Sequence, residues 1–232
     1  MPDGAVEISR RLLEAVLAEQ AADATAARLA EVDPAAIEGQ EARVAFWMNT
    51  YNARLRHELL ERPRRGSLLR HRRLFRQSSY RVGGHEYSLD VIEHGLLRRN
   101  ARPPAALRRV LRAGDPRLAV APPRLDPRLH FALNCGARSC PPVRAYDAAG
   151  VDAQLDAASR AYLGAESSLD RERGRLTLPG VCKLYRRDFE DLLGFAAAHL
   201  PEDDAAWLRE HSGDADVVFD RFDWTLVPGE PA

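Results

Sequence analysis

The stretch Val44-Ala-Phe-Trp-Met-Asn-Thr-Tyr-Asn-Ala-Arg-Leu55 decides how the rest of the chain is arranged. On a helix its large apolar side chains fall on one stripe, which continues to Leu59 and must face a core. The stripe consists of Val44, Trp47, Met48, Tyr51, Leu55 and Leu59. Asn49 and Asn52 sit three residues apart along its border. The sequence therefore predicts a central helix with two amides beside its buried face.

Helical and hairpin signals flank this helix. Residues 6–31 are rich in Ala, Leu and Glu, which predicts one or two amphipathic helices. Gly83-Gly84 can adopt the positive φ angles of a tight turn, so Tyr80–Ser88 predicts a β-hairpin.

Ser88 is predicted to cap a further helix. The apolar face of that helix would carry Leu89, Ile92 and Leu96. Glu93 lies beside this face, so its carboxylate should be paired or have a raised pKa. His94 is expected well round the helix from the apolar face.

The second half of the chain begins with a helix predicted from about Ala105 to Arg112. Arg128–Asn134 alternates apolar and polar residues, which predicts a strand with His130 and Asn134 on its polar face. Cys135-Gly136 opens a turn after it. The later elements are a helix at 151–162, a strand at 175–178, a helix at 189–200 and a closing strand or strand pair at 217–226.

These elements predict an α+β fold that is mostly helical and contains a small antiparallel sheet. The sheet is expected to bring His130 and Cys135 against the helices that carry Asn52 and His94. No internal repeat or composition break is visible. We therefore predict an N-terminal helical extension at 1–39 and one domain at 40–228.

Composition narrows the classes of function. Thirty-four basic residues balance thirty-four acidic residues, so the overall charge indicates neither nucleic-acid binding nor attachment to an anionic membrane. Ten arginines lie within residues 54–81 and are interpreted as a solvated surface, because interleaved aromatic residues and Gly-rich phosphate loops are missing. No signal peptide or membrane-spanning segment is predicted. Three cysteines are too few for a disulfide scaffold, so a cytoplasmic location is expected.

The richest chemistry lies in His130-Phe-Ala-Leu-Asn-Cys-Gly-Ala-Arg-Ser-Cys-Pro-Pro142. A thiolate nucleophile needs a base or positive surroundings, and His130 or His94 could serve Cys135 as that base. An amide of Asn49, Asn52 or Asn134 could orient the imidazole or donate to an oxyanion.

Three other interpretations of this segment remain open. Cys135 could be a structural residue in the core. Cys135 and Cys140 could bind zinc together with His94 and His130, although their spacing is at the edge of the usual pattern. The two cysteines could also form a redox pair, but they lack the Cys-x-x-Cys arrangement at a helix start.

Three blocks of the sequence resemble the domain of unknown function 547 family. They are Phe46–Asn52, Ser88–Arg98 and Asp126–Pro142, with further matches at Tyr146, 178–189 and 222–226. The resemblance covers roughly residues 40–228. It implies that the shared polar positions are Asn49, Asn52, Glu93, His94, His130, Asn134 and Cys135, but it implies no reaction, because the family has no established biochemical role.

We therefore predict a thiol-dependent acyltransferase or amide hydrolase. Its catalytic residues would be Cys135, His130, His94, Asn52, Asn134 and Glu93. Its binding residues would be Asn49, Ser139, Cys140 and Tyr146. A small-molecule or peptide ligand is expected, with no cofactor, metal, nucleic acid or membrane as partner. The alternative is a non-catalytic binding or interaction module in which these residues form a structural polar network.

Overall fold

A long central helix organises the fold, as the apolar stripe predicts. The structure, a computed structural model, describes residues 2–104 and 106–227. Helix α1 (Pro2–Leu17) packs along α3 (Gln40–Glu61), and the short α2 (Asp23–Arg28) joins them. Trp47 and Met48 on α3 are completely buried. The predicted N-terminal helices and the central helix are confirmed.

The predicted hairpin follows α4 (Leu74–Gln77) and consists of β1 (Ser79–Val82) and β2 (His85–Ser88). The strands pair antiparallel, and Tyr80 lies opposite Tyr87. Gly83 and Gly84 have φ angles of +53° and +85°, which only glycine adopts readily. The Gly-Gly pair therefore sets the register of the hairpin.

The helix after Ser88 is confirmed, but most of it is a π-helix, Val91–Leu97. The Ser88 hydroxyl accepts a hydrogen bond from the Val91 backbone N–H at 3.3 Å. A π-helix has more residues per turn than an α-helix, so the backbone N–H of Arg98 bonds to the carbonyl of Glu93, five residues earlier, at 2.8 Å. The expectation that His94 lies well round the helix from the buried face is wrong, because the structure buries Glu93 and His94 together.

Two expectations for the middle of the chain are wrong. Residues 106–112 form bends and irregular coil instead of the predicted helix, whose first residue, Ala105, lies outside the described residues. The predicted strand at 128–134 is replaced by a 3₁₀ helix, Pro127–Phe131. Its start is fixed by the Asp126 carboxylate, which accepts a hydrogen bond from the Arg128 backbone N–H at 3.0 Å.

The second half of the chain forms its own layer of helices and strands. These are α5 (Val151–Glu166), β3 (Ser168–Asp170), β4 (Arg175–Leu178), α6 (Gly180–Leu184), α7 (Leu192–His199), α8 (Glu202–His211) and β5 (Asp216–Phe219). Strand β4 pairs antiparallel with β3 and parallel with β5. A short 3₁₀ helix, Arg186–Asp188, follows α6.

Residues 220–227, which follow β5 and form the C-terminal strap, cross back to the first half of the chain. Isolated bridges join Ser67 to Thr225 and Ala137 to Leu226. The Leu68 backbone N–H also donates to the carbonyl of Trp224 at 2.8 Å. This C-terminal strap thus holds the segments 67–68 and 137–139 side by side.

The α+β, mostly helical class is confirmed, and the strands form a two-stranded antiparallel hairpin and a three-stranded mixed sheet. None of the helices within residues 2–104 and 106–227 is long and apolar enough to cross a membrane. Helix α1 shares its hydrophobic cluster with α3. The domain boundary at residue 40 stays a prediction, and residue 228 lies outside the described residues.

Candidate functional site

A cleft of about 860 Å³ lies where the π-helix, the segment 130–141, α6 and the C-terminal strap meet. Five of the predicted site residues line it, namely Glu93, His94, His130, Cys135 and Cys140. Much of its wall is apolar or aromatic and includes Leu68, Phe75, Leu133, Val181, Leu184, Phe222 and Trp224. Its volume falls in the range of about 300–1,000 Å³ that is typical of sites for small ligands.

Glu93 is a buried carboxylate held by two phenols. The hydroxyl of Tyr51 donates to Glu93 Oε2 at 3.0 Å, and the hydroxyl of Tyr185 donates to Oε1 at 2.6 Å. Burial alone would raise the pKa of Glu93, but His94, the Tyr185 hydroxyl and Arg98 outweigh it and lower this pKa. The expectation of a paired carboxylate is therefore met, and Glu93 is ionised at neutral pH.

His94 is held by Arg98, four residues further along the chain. The Arg98 guanidinium lies 2.9 Å from Nδ1 of His94. Because a guanidinium can only donate, this Nδ1 must be the acceptor and the ring proton must be on Nε2. Burial lowers the pKa of His94, so the ring is neutral at pH 7. It can offer the cleft an N–H donor, while its basic nitrogen is already engaged.

His130 belongs to a buried chain of polar groups that ends at the same arginine. Nε2 of His130 lies 2.8 Å from Oδ2 of Asp188, and Arg98 donates two hydrogen bonds to this carboxylate at 2.5 and 2.9 Å. Burial would raise the pKa of Asp188, but the hydrogen bonds from His130 and Arg98 hold it at about 2. Burial lowers the pKa of His130. A neutral His130 therefore donates from Nε2 and keeps a lone pair on Nδ1.

Tyr185 contacts both polar pairs, the His94–Arg98 pair and the His130–Asp188 pair. Its ring stacks on the His130 ring with the centroids 3.9 Å apart, and the guanidinium carbon of Arg98 lies 4.8 Å from the centroid of the same Tyr185 ring. Its hydroxyl is the one that reaches Glu93. The side chain thus fixes the positions of His130, Arg98 and Glu93 relative to one another.

Cys135 and Cys140 are joined by a disulfide. Cys135 therefore carries no free thiol here, contrary to what the predicted nucleophile requires. The third cysteine, Cys182, is buried in the second hydrophobic cluster, and burial raises the pKa of its thiol to about 12. Thiol chemistry at the cleft would first require reduction of the Cys135–Cys140 bond.

The three predicted asparagines bind the main chain instead of lining the cleft. Asn52 accepts from the backbone N–H of Asn134 at 3.0 Å and donates to the carbonyl of Ala132 at 3.1 Å. Asn49 does the same at both backbone groups of Tyr146, at 2.9 and 2.8 Å. The Asn134 side chain closes its own loop through Gly136 N–H and the Pro141 carbonyl. Their geometry is that of structural clips, which leaves the predicted oxyanion role without support.

The remaining two predicted binding residues also lie outside the cleft lining. The Ser139 hydroxyl accepts from the backbone N–H of Asp223 at 2.8 Å, which attaches the disulfide loop to the C-terminal strap. The Tyr146 side chain is buried, and its hydroxyl has no hydrogen-bond partner among residues 2–104 and 106–227. Burial raises its pKa to about 12. Neither side chain therefore lines the cleft, although both were predicted as binding residues.

Hydrogen bonds, together with the stacking of Tyr185 on His130, join seven residues into one buried polar cluster: Tyr51, Glu93, His94, Arg98, His130, Tyr185 and Asp188. Tyr51, Arg98, Tyr185 and Asp188 were not predicted as site residues. Arg98 follows His94 by four residues, a spacing that would have indicated a helical pair. Asp188 lies 58 residues beyond His130, and no local pattern joins them. Within the described part of the chain, no group of three or more His, Cys, Asp or Glu residues could hold a metal ion.

A family model described as "Protein of unknown function, DUF547" matches residues 35–163, more than half of the chain. The chain belongs to this family. The part matched to DUF547 carries Glu93, His94, Arg98, His130 and the disulfide, whereas Tyr185 and Asp188 follow it. No curated protein and no solved structure matches this DUF547 chain.

Proposed function

We propose that the cleft is a catalytic site for acyl transfer or amide hydrolysis. The observation that carries the proposal is the meeting of a His130–Asp188 pair, a neutral His94 and Cys135 in one cleft. A histidine oriented by a carboxylate beside a cysteine is the usual arrangement for activating a thiol.

The protonation of the two histidines supports a division of roles. Arg98 occupies Nδ1 of His94, so this ring can only donate, and it would stabilise negative charge on a carbonyl oxygen. His130 is bonded to Asp188 through Nε2, so its Nδ1 is the nitrogen that can take a proton. The pKa of His130 is lowered, which keeps this nitrogen unprotonated at neutral pH.

In the proposed reaction the disulfide is first reduced by a dithiol. The Cys135 thiol then gives its proton to His130 and attacks a carbonyl carbon, and the developing oxyanion receives the hydrogen bond of His94. The leaving group takes the proton from His130 as it departs. Water or a second nucleophile finally releases the acyl group from the sulfur.

The test is the alkylation rate of each thiol against pH in the reduced, folded protein, followed by peptide mass spectrometry. We expect the pKa of Cys135 to lie well below the ~8.5 of a free thiol. His130→Gln should bring it back toward that value. The matched control is His85→Gln, an exposed histidine outside the cleft lining, which should change nothing. An ordinary pKa for Cys135 in the wild type would refute the thiol mechanism.

A non-catalytic binding module is the second candidate. The observation that favours it is that Asn49 and Asn52 hold the segment 132–146 against α3, while Asn134 and the disulfide brace this segment internally. In that case the reduced protein should lose stability, show ordinary thiols, and still bind its ligand in the cleft.

A further inference from the structure

The cleft has an excess of unpaired positive charge at its edge. Its lining includes the exposed arginines Arg72, Arg73, Arg76, Arg108 and Arg109. None of the five makes an ion pair within 4 Å with a residue in the described ranges. By contrast, Arg54 from the same arginine-rich region is nearly buried and bonds to Glu58 at 2.7 Å. The interpretation of residues 54–81 as a merely solvated surface therefore does not describe the arginines at the cleft.

The carboxylates of the cleft do not neutralise these arginines. Asp90 and Glu93 are the acidic residues among the lining side chains, so five arginines leave a formal excess of three positive charges. Glu93 is bonded to Tyr51 and Tyr185 at the buried end. Asp90 interacts electrostatically with Arg76 but does not reach ion-pair distance. The edge of the cleft is thus suited to an anion.

The same edge is also apolar. Among the described residues, the large hydrophobic side chains that are exposed are Leu69, at 47%, and Leu107, at 90%. Leu69 lines the cleft beside Arg72 and Arg73, and Leu107 lies between two lining residues and next to Arg108. Exposed large apolar residues that cluster at a cleft are typical of ligand-binding surfaces.

We propose that the cleft binds a single-chain anionic amphiphile. Its apolar chain would lie along the wall formed by residues such as Phe75, Leu133 and Trp224, with its carboxylate or phosphate against the arginines. This extends the proposed function by naming its substrate class, an acyl compound with an anionic group, and only the catalytic step rests on that function. Binding needs neither a reduced disulfide nor turnover.

The arginine contribution is tested by isothermal titration of the oxidised full chain with monomeric decyl phosphate and decanoate. We expect both anions to bind, and decanol and decyltrimethylammonium to bind at least tenfold more weakly. The triple variant Arg72→Gln, Arg73→Gln, Arg76→Gln should bind the anions about tenfold more weakly, since each exposed charge contributes roughly two- to threefold. Added salt should reduce this difference.

The matched control replaces three exposed arginines that neither line the cleft nor form ion pairs with described residues. They are Arg81→Gln, Arg112→Gln and Arg187→Gln. This control should bind within twofold of the wild type. Equal binding of the cationic amphiphile, or equal loss in both triple variants, would overturn the proposal.

A second measurement locates the chain of the ligand. A bromine-labelled probe, 11-bromoundecanoate, should quench the fluorescence of Trp224, which lines the cleft, and Trp224→Phe should remove this quenching. Trp47 is completely buried outside the cleft lining and should be unaffected. Quenching that persists in Trp224→Phe would overturn the cleft assignment. So would binding to anionic vesicles without binding of the monomeric probes, because the anion would then be recognised at a membrane surface.

Discussion

Replacing Asp188 with Asn should destabilise the protein more than any other single isosteric change in the cluster. The Asp188 and Arg98 side chains are each only 4% exposed, and the carboxylate accepts two hydrogen bonds from Arg98 and one from His130. Removing one partner from a buried ion pair leaves the other charge uncompensated, which costs about 3–5 kcal/mol. We expect Asp188→Asn to lie near the lower end, at roughly 3 kcal/mol, because the amide keeps part of the hydrogen bonding.

The pH dependence of the unfolding free energy gives a second estimate of how much the Asp188 carboxylate stabilises the fold. The pKa of Asp188 is lowered from 3.8 to about 2 on folding. A lowered pKa stabilises the folded state at pH values above the unfolded pKa, and this stabilisation is lost as the pH falls through the folded pKa. It amounts to roughly 2 kcal/mol above pH 5 after allowance for solvent screening, and about half of it remains at pH 3.

The assay is urea unfolding of the wild type and Asp188→Asn at pH 7, 5 and 3, followed by tryptophan fluorescence. The difference in unfolding free energy should be constant between pH 7 and 5 and smaller at pH 3. The control is Asp216→Asn, which removes an ion pair with Arg175 whose side chains are both 50% exposed, and it should have a much smaller effect. A loss below about 1 kcal/mol for Asp188→Asn, or the same loss at every pH, would refute the reasoning.

Three further predictions concern other parts of the site. Asn52→Ala should lower the unfolding free energy by about 2–4 kcal/mol in urea titrations, because the buried Ala132 carbonyl and the half-buried Asn134 N–H lose their partner. An unchanged urea midpoint would contradict this structural role of Asn52. Cys140→Ser should lower it by roughly 2 kcal/mol relative to the oxidised protein, because the disulfide closes a loop with a sequence separation of 5; reduced wild type serves as the control. In nitrogen NMR spectra His94 should be neutral at pH 7 with its proton on Nε2, and a protonated Nδ1 would contradict the hydrogen bond from Arg98.

Apolar periodicity predicted the central helix and Gly83-Gly84 predicted the hairpin, but alternation misled at residues 128–134. Leu129 and Phe131 alternate with polar residues as in a strand, yet a 3₁₀ helix buries Leu129, His130 and Phe131 together. The competing signal was Asp126 followed by Pro127, which together fix a helix start. The same Asp-Pro-Arg sequence begins a second 3₁₀ helix at Asp115. The capping signal was therefore present in the sequence and stronger than the alternation.

The predicted site residues that line the cleft came from two short segments, 93–94 and 130–140, each recognised by its own local pattern. Glu93, His94, His130 and Cys135 all line the one cleft. A π-helix changes which side chains share a face, and apolar spacing alone could not indicate it. Asp188 contacts Arg98 across 90 residues of sequence, so its role depends on tertiary packing that a single sequence does not reveal.

The C-terminal strap has a consequence for synthesis of the protein on the ribosome. Phe222 and Trp224 form part of the cleft wall, and the strap holds the disulfide loop through Ser139 and Ala137. Helix α3 and its partners can collapse early, because they are close in sequence and are made first. A nascent chain that has not yet been extended through Leu226 has all its histidines but no enclosed cleft. The cleft can therefore be enclosed only after the ribosome has synthesised this strap, however early α3 and its partners collapse.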